Sequence, residues 1–258
     1  MIIRKSPDEI EVMARAGRVV VETLAAVGEA IAPGVMTAEL DEVAEERIRS
    51  HGGEPTFKGY RGFPASICAS PNSMVVHGIP GPYRLEEGDT ISIDVGVTLD
   101  GFVGDSAYTF AVGEIDDEAQ RLLDACQAAL AAAIVEARPG NHVGDVSAAV
   151  QRVTEDARFS DVRSLVGHGV GRSMHEEPQV PNYGLPGRGP KLSPGMTLAI
   201  EPMITAGAGD VFVAEDGWSI STSDGSLAAH FEHTVAITPD EPRVLTEAPV
   251  GSLEFLLR

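Results

Sequence analysis

The stretch GDTISIDVGVTLDGFVGDSAYTF, residues 88–110, decides how the rest of the chain is read. It alternates, turns at an Asp-Gly pair and alternates again, the pattern of a β-hairpin. In its first arm Ile91, Ile93, Val95 and Val97 share one face, and Ser92, Asp94, Gly96 and Thr98 share the other. In its second arm Ala107 and Thr109 continue the face that carries Asp105. A two-residue turn at Leu99-Asp100 sets Asp94 directly opposite Asp105. A turn at Asp100-Gly101 makes them diagonal neighbours, with Asp94 facing Ala107. Either register leaves both carboxylates on one face, a few ångströms apart. Adjacent like charges repel, so a shared proton or a cation must neutralise them. Oxygen donors in this density favour one or two divalent metals.

Outward from the hairpin, the chain repeats itself. Ser6-Pro7-Asp8-Glu9 is a capping box that opens an amphipathic helix to about Ile31, stopped by Pro33-Gly34. A second helix is expected from about Thr37 to His51. After the hairpin comes a helix from about Asp116 to Glu136, then Pro139-Gly140, then a helix from about Asp145 to Ala157. Pro33-Gly34 and Pro139-Gly140 lie 106 positions apart, and His77-Gly78-Ile79 and His168-Gly169-Val170 lie 91 apart. Leu85-x2-Gly88-x-Thr90-x2-Ile93-Asp94 matches Leu192-x2-Gly195-x-Thr197-x2-Ile200-Glu201 at an offset of 107. Self-similarity in fixed order implies two copies of one supersecondary unit, about residues 5–113 and 114–245. A pseudo-two-fold between them sets Asp94 against Glu201. No low-complexity linker separates the copies, so residues 1–258 are expected to form a single domain of mixed α/β (α+β) class. Ala199 beside Glu201, and Thr234 and Ala236 beyond Glu232, repeat the pairing of an acid with small neighbours. Such a face leaves room for a ligand, while the apolar face packs on helices.

Composition narrows the function. With 19 basic against 39 acidic residues the formal charge is −20, so the chain has no basic footprint for nucleic acid. Two cysteines, Cys68 and Cys126, make no disulfide framework and suit a reducing cytoplasm. The N-terminus has no apolar signal core, and no run of 18 apolar residues occurs, so neither export nor a membrane is expected. Two histidines, His168 and His175, stand seven apart in the glycine-rich loop 167–178, where glycines favour close backbone approach over a helix. His77 lies in a similar setting, whereas His51 and His142 read as structural.

With these residues in place the chain resembles the type I methionine aminopeptidases. The segments that carry the resemblance are GYRGFPASIC (59–68), VVHGIPG (75–81), the hairpin, GHGVGRSMHEEPQVPNYG (167–184), AIEPMI (199–204) and FEHTVAIT (231–238). The resemblance implies the pita-bread fold, two pseudo-symmetric halves with helices covering a curved antiparallel sheet. It implies two divalent ions, cobalt, manganese, iron or zinc. Asp94 would chelate one, Asp105 and Glu232 would span both, and His168 and Glu201 would complete the other's shell. Glu201 becomes the acid/base, His175 the donor to the developing oxyanion, and His77 the contact to the amide nitrogen beyond the scissile bond. Tyr60, Phe63, Cys68, Met174 and Trp218 would line the methionine pocket. Met174 stands where the family pattern has phenylalanine, which bears on pocket shape and not on the ligands. Arg61 is assigned no role.

The implied reaction is removal of initiator methionine from nascent chains with a small second residue. Prolidases and X-Pro aminopeptidases share the five ligands, but the roughly 60 residues ahead of the motifs leave no room for their N-terminal domain. A non-catalytic binding protein on the same fold would be expected to have lost ligands that are intact here. The expected partners are nascent N-termini, with at most transient ribosome contact given the negative charge, and a monomer is expected. No long N-terminal extension is expected to target the ribosome.

Overall fold

The computed structural model describes residues 1–247, so the closing stretch 248–258 of the expected domain lies outside the described residues. In chain order come α1 (Pro7–Ala30), α2 (Thr37–Ser50), β1 (Glu54–Pro55), β2 (Cys68–Pro71), β3 (Met74–Val76), β4 (Thr90–Leu99) and β5 (Phe102–Ala111). Then follow α3 (Asp117–Glu136), α4 (Val143–Asp156), β6 (Ser160–Asp161), β7 (Val166–Gly169), β8 (Glu176–Pro181) and β9 (Thr197–Ile200). The last described elements are β10 (Met203–Thr205), β11 (Val211–Val213), β12 (Ile220–Thr222), β13 (Ala228–His230), β14 (His233–Ile237) and β15 (Pro242–Val244).

Local chemistry places the helices. The Ser6 hydroxyl accepts from the Glu9 amide while the Glu9 carboxylate accepts the Ser6 amide, so two orphan donors are satisfied at the start of α1. Asp116 caps α3 by accepting the Ala119 amide. Helix α4 starts at Val143 rather than Asp145, because the Asp145 carboxylate reaches back to the His142 amide and draws the first turn with it. Among the described residues no helix is long and apolar enough to cross a membrane.

The two stretches flagged as copies behave alike. Gly34 and Gly140 both turn at positive φ, +93° and +98°. Each donates its amide to a leucine carbonyl, Gly34 to Leu85 and Gly140 to Leu192, at 2.6 and 3.1 Å. Gly88 and Gly195 adopt φ of +93° and +92° two residues before β4 and β9 begin. On the apolar side, Ile91, Ile93, Val95 and Val97 pack with Val20, Leu24 and Val27 of α1 and Leu40, Ala44 and Ile48 of α2. Leu198, Ile200, Val235 and Ile237 do the same with Leu122, Cys126, Ala129 and Leu130 of α3 and Val146 and Val150 of α4.

Among the described residues all strand pairing is antiparallel, in two principal sheets. In one, β4 pairs with β5 along one edge and with β1 and β2 along the other; the second runs β15-β14-β9-β7-β8. Shorter pieces, β13-β10-β6 and β11-β12-β3, stand beside them. The two principal sheets meet at a seam rather than through a continuous ladder. Across it Glu232 donates its amide to Ala107 O at 2.9 Å. The Thr234 hydroxyl accepts the Asp105 amide and donates to the Asp105 carbonyl, at 3.0 and 2.7 Å. Thr109 does the same for His230. Threonine hydroxyls thus satisfy the strand-edge groups that a continuous ladder would have used.

Candidate metal centre

The seam is where the acids meet. Asp100 and Gly101 both take positive φ, 50° and 77°, and form the two-residue turn. Leu99 then pairs with Phe102 and Asp94 with Ala107, so the diagonal register is the one adopted. Asp105 faces Gly96, and Cys68 of β2 stands opposite Asp94 on the other edge. On the second sheet Ile200 pairs with His233, which leaves Glu201 and Glu232 just past the paired ends of β9 and β14. His168 sits on β7 opposite Ala199.

These five side chains converge. His168 Nε2 lies 3.7 Å from Asp105 Oδ2 and 3.5 Å from Glu201 Oε1. One donor atom from each of Asp105, His168 and Glu232 falls within 4.8 Å of the others, a span that a metal ion fits. Oδ1 of Asp94, Oδ1 of Asp105 and Oε1 of Glu232 are buried with no hydrogen-bond partner. Buried oxygens without partners are costly, and three together mark a place built for something that supplies positive charge.

The electrostatics agree. Burial pushes the carboxyls of Asp94, Asp105 and Glu232 well above the usual range, and repulsion from neighbouring carboxylates, Glu201 in every case, adds to it. Burial alone raises Glu201 to about 8. The imidazoles offer no counter-charge, since burial holds His168 and His77 down at about 4. A neutral imidazole is what a metal requires. His168 Nδ1 is 2.9 Å from the Gly169 carbonyl, which can only accept, so Nδ1 carries the proton and Nε2 presents its lone pair to the acids.

A cavity of about 180 Å³ opens onto the cluster and collects every residue the sequence nominated: Tyr60, Phe63, Cys68, His77, Met174, His175 and Trp218 join the four acids and His168. Tyr60 Oη lies 2.9 Å from His175 Nδ1, and the two rings stack. Trp218 stands edge-on to Phe63, their ring centres 5.2 Å apart. Asp216 holds the turn beneath it by accepting the Trp218 and Ser219 amides. Cys68 is a wall and not a nucleophile, for burial and then the nearby Asp94 charge push its thiol far up.

Three further residues stand at the site: Phe57 and His230, which the sequence did not single out, and Arg61, to which it gave no role. Phe57 lines the cavity and meets Phe63 edge-on. Its signal was its rarity, one aromatic just ahead of the Tyr60 motif, and the glycine at 96, where a Cβ would strike its ring. Arg61 sits at the rim over Tyr60 and, after burial, is the main influence lowering His175. His230 lies behind the cavity, and its spacing of two from Glu232 was the available clue.

The model of metallopeptidase family M24 matches residues 11–239. The chain belongs to that family, among its methionine aminopeptidases. Methionine aminopeptidase 1 of Bacillus subtilis is 49% identical over 246 residues, covering 95% of this chain and 99% of the relative. A methionine aminopeptidase from Thermotoga maritima superposes with a TM-score of 0.95 at 44% identity, covering 96% of this chain and all of that one. The prolidase of Pyrococcus furiosus reaches a TM-score of 0.78 at 23% identity and is matched over 66% of its length, a likeness of fold alone. The architecture is thus the pita-bread fold of family M24, and the buried Asp105, His168 and Glu232 group fits the divalent metal that the family's name entails.

Proposed function

We propose that this chain removes the N-terminal methionine from newly made polypeptides whose second residue is small, with two divalent ions held by Asp94, Asp105, His168, Glu201 and Glu232. The observation that carries this reading is the buried carboxylate cluster, whose unpartnered oxygens no lysine or arginine of the described residues satisfies. Asp94 would serve one ion, Asp105 and Glu232 would help to hold both, and His168 and Glu201 would complete the set around the second. When bound, the ions polarise the scissile carbonyl and make a water acidic enough to attack near neutral pH.

The chain's own groups do the rest. Glu201 accepts the proton that the water gives up, and nearby positive charge brings its pKa down from about 8 toward the working range of a base. Tyr60 Oη lies within hydrogen-bond distance of His175 Nδ1, and in the tautomer in which the hydroxyl donates, Nε2–H is the donor that meets the developing oxyanion. His77 contacts the amide nitrogen beyond the scissile bond and helps the amine leave. Tyr60, Phe63, Cys68, Met174 and Trp218, with Phe57, hold the methionine side chain. Cobalt, manganese, iron and zinc all suit an oxygen-rich shell with one imidazole.

The chain acts as a monomer in the cytoplasm, as one domain of two halves (5–113 and 114–245) joined at the β5–β14 seam. Its charge of −20 limits ribosome contact to transient encounters. The test is to strip the protein with chelator, restore single metals, and compare Met-Gly-Met, Met-Val, Leu-Gly and Ala-Pro peptides. Metal-dependent cleavage of Met-Gly-Met above the others is expected. Preference for Ala-Pro, or activity without metal, overturns the reading.

A further inference from the structure

His230 is the last residue of β13 and is 1% exposed, yet neither of its ring nitrogens has a hydrogen-bond partner. An imidazole in that state has given up the hydration of two polar atoms with nothing in return. Its backbone is pinned from behind. The Thr109 hydroxyl accepts the His230 amide and donates to the His230 carbonyl, at 2.9 and 2.8 Å, and Ser92 bonds Thr109 in turn at 2.8 Å. From this fixed base Nε2 faces the acids, 3.5 Å from Glu201 Oε2 and 3.9 Å from Glu232 Oε2. On the far side His168 Nε2 lies 3.5 Å from the other Glu201 oxygen, Oε1. Each oxygen of Glu201 is thus faced by one imidazole.

The two imidazoles are not equivalent. The proton of His168 is committed to Nδ1 by the Gly169 carbonyl, so its Nε2 has only a lone pair and cannot donate to Glu201. His230 has no such commitment, and its Nε2 is free to carry a proton. We propose that His230 is a positioning residue whose Nε2–H donates to Glu201 Oε2 and so keeps Oε1 on the His168 and Asp105 side, where metal is to bind. The role rests on the reading of Glu201 as ligand and base given above. A hydrogen bond of this kind fixes a carboxylate's rotation before the ion arrives, and its loss should appear in metal affinity as well as in turnover.

Two neutral amides separate this role from simple packing. Glutamine at 230 reaches far enough to offer an N–H to Glu201, and asparagine falls short. Metal-free parent, His230→Gln and His230→Asn are titrated with Mn²⁺ by calorimetry, and kcat, KM and the metal-free Tm are measured beside it. His230→Asn should weaken Mn²⁺ binding and lower kcat by about 10- to 100-fold, with KM close to the parent's, while His230→Gln stays within about threefold of the parent. Equal losses in both variants, or none in His230→Asn, overturn the role. If His230→Asn does not fold, a tenfold loss in His230→Gln overturns it alone, and retention supports it. Failure of the underlying function is distinguishable, because it appears in the parent as absence of Mn²⁺ binding or as cleavage without metal.

Discussion

Two pairs of strands deliver the four carboxylates, and they differ in what joins them. Strands β4 and β5 are joined by Asp100 and Gly101 alone, so Asp94 and Asp105 sit mid-strand in a ladder that runs unbroken from Thr90↔Ala111 to Leu99↔Phe102. Strands β9 and β14 are joined by residues 201–232, which build β10 to β13 on the way. Their acids stand at strand ends, beyond the last paired residues. The first pair uses short aspartates on a rigid surface; the second uses longer glutamates whose side chains must be held from outside. The long connection also brings in Trp218 and His230, which a tight turn has no residues to supply. The tight hairpin therefore fixes where its two charges sit, and the long connection sets further side chains around the second pair.

The sharpest way to break that contrast is to compare Glu201→Gln with Asp94→Asn. Loss of a positioned base lowers kcat by about 10²- to 10⁴-fold. Glu201→Gln should therefore abolish measurable turnover of Met-Gly-Met while leaving a folded protein. Asp94→Asn should act mainly through metal affinity and recover with added metal. Calorimetric Mn²⁺ titration beside steady-state kinetics checks both. Recovery of Glu201→Gln at high metal would place the base elsewhere.

Removing the metal comes next in size, and it strains both pairs together. The acids of the cluster have folded pKa values raised above their unfolded ones, Glu201 from 4.5 to about 8. Below about pH 6.5 the buried histidines, His77 and His168 held at about 4, oppose the acids. Above it the acids alone keep more protons on the folded metal-free protein than on the unfolded chain, so stability falls as pH rises. Below the unfolded values both states are protonated and the penalty is absent. Scanning calorimetry of chelator-treated protein should show Tm dropping from about pH 6.5 to about pH 8, and Mn²⁺ should remove or reverse the trend. A metal-free Tm that rises over this range would mean that the cluster is neutralised from within the chain.

The sequence made the first pair legible and the second only partly so. Alternation and an Asp-Gly turn encode the β4–β5 hairpin locally, and the turn residues even restricted the register to two choices. The repeat Leu-x2-Gly-x-Thr-x2-Ile-acid pointed from Asp94 to Glu201, because the same glycine turn precedes both strands. His168, Glu232 and the pocket residues came from resemblance to a family, since their proximity depends on long-range closure of the seam, which no local pattern encodes. His230 and Phe57 escaped for the same reason. Each has an unremarkable neighbourhood in sequence and acquires its partner only when β13 crosses behind β5 or when Gly96 leaves space for a ring.

The second half's loop is tied by a strut from the first, and cutting it should have a smaller effect than losing the ions. Lys5 Nζ lies 2.6 Å from Glu176 Oε2 with both side chains buried, 3% and 6% exposed. Glu176 Oε1 accepts the Arg172 and Ser173 amides, at 2.9 and 3.2 Å, and so shapes the turn that carries Met174 and His175. Lys5→Met leaves that carboxylate buried and unpaired, a loss of about 3–5 kcal/mol. Denaturant unfolding should register this, and KM for Met-Gly-Met should rise as the pocket wall loosens. Adding Glu176→Gln to Lys5→Met should recover most of the stability. A double variant no better than the single would mean that Lys5 acts through packing of its stem.

The smallest effect belongs to the turn of the first hairpin, and it separates two causes of register. Gly101 sits at φ +77°, where an alanine side chain meets its own backbone although nearby space is open. Gly101→Ala should therefore cost about 1–2 kcal/mol in unfolding free energy. The spacing of Asp94 and Asp105 should survive, because the β4–β5 ladder and the Thr234 bonds to Asp105 hold it independently of the turn. Expected kcat/KM stays within about twofold of the parent. A larger drop would show that two residues set the geometry of the first pair as firmly as the seam sets that of the second.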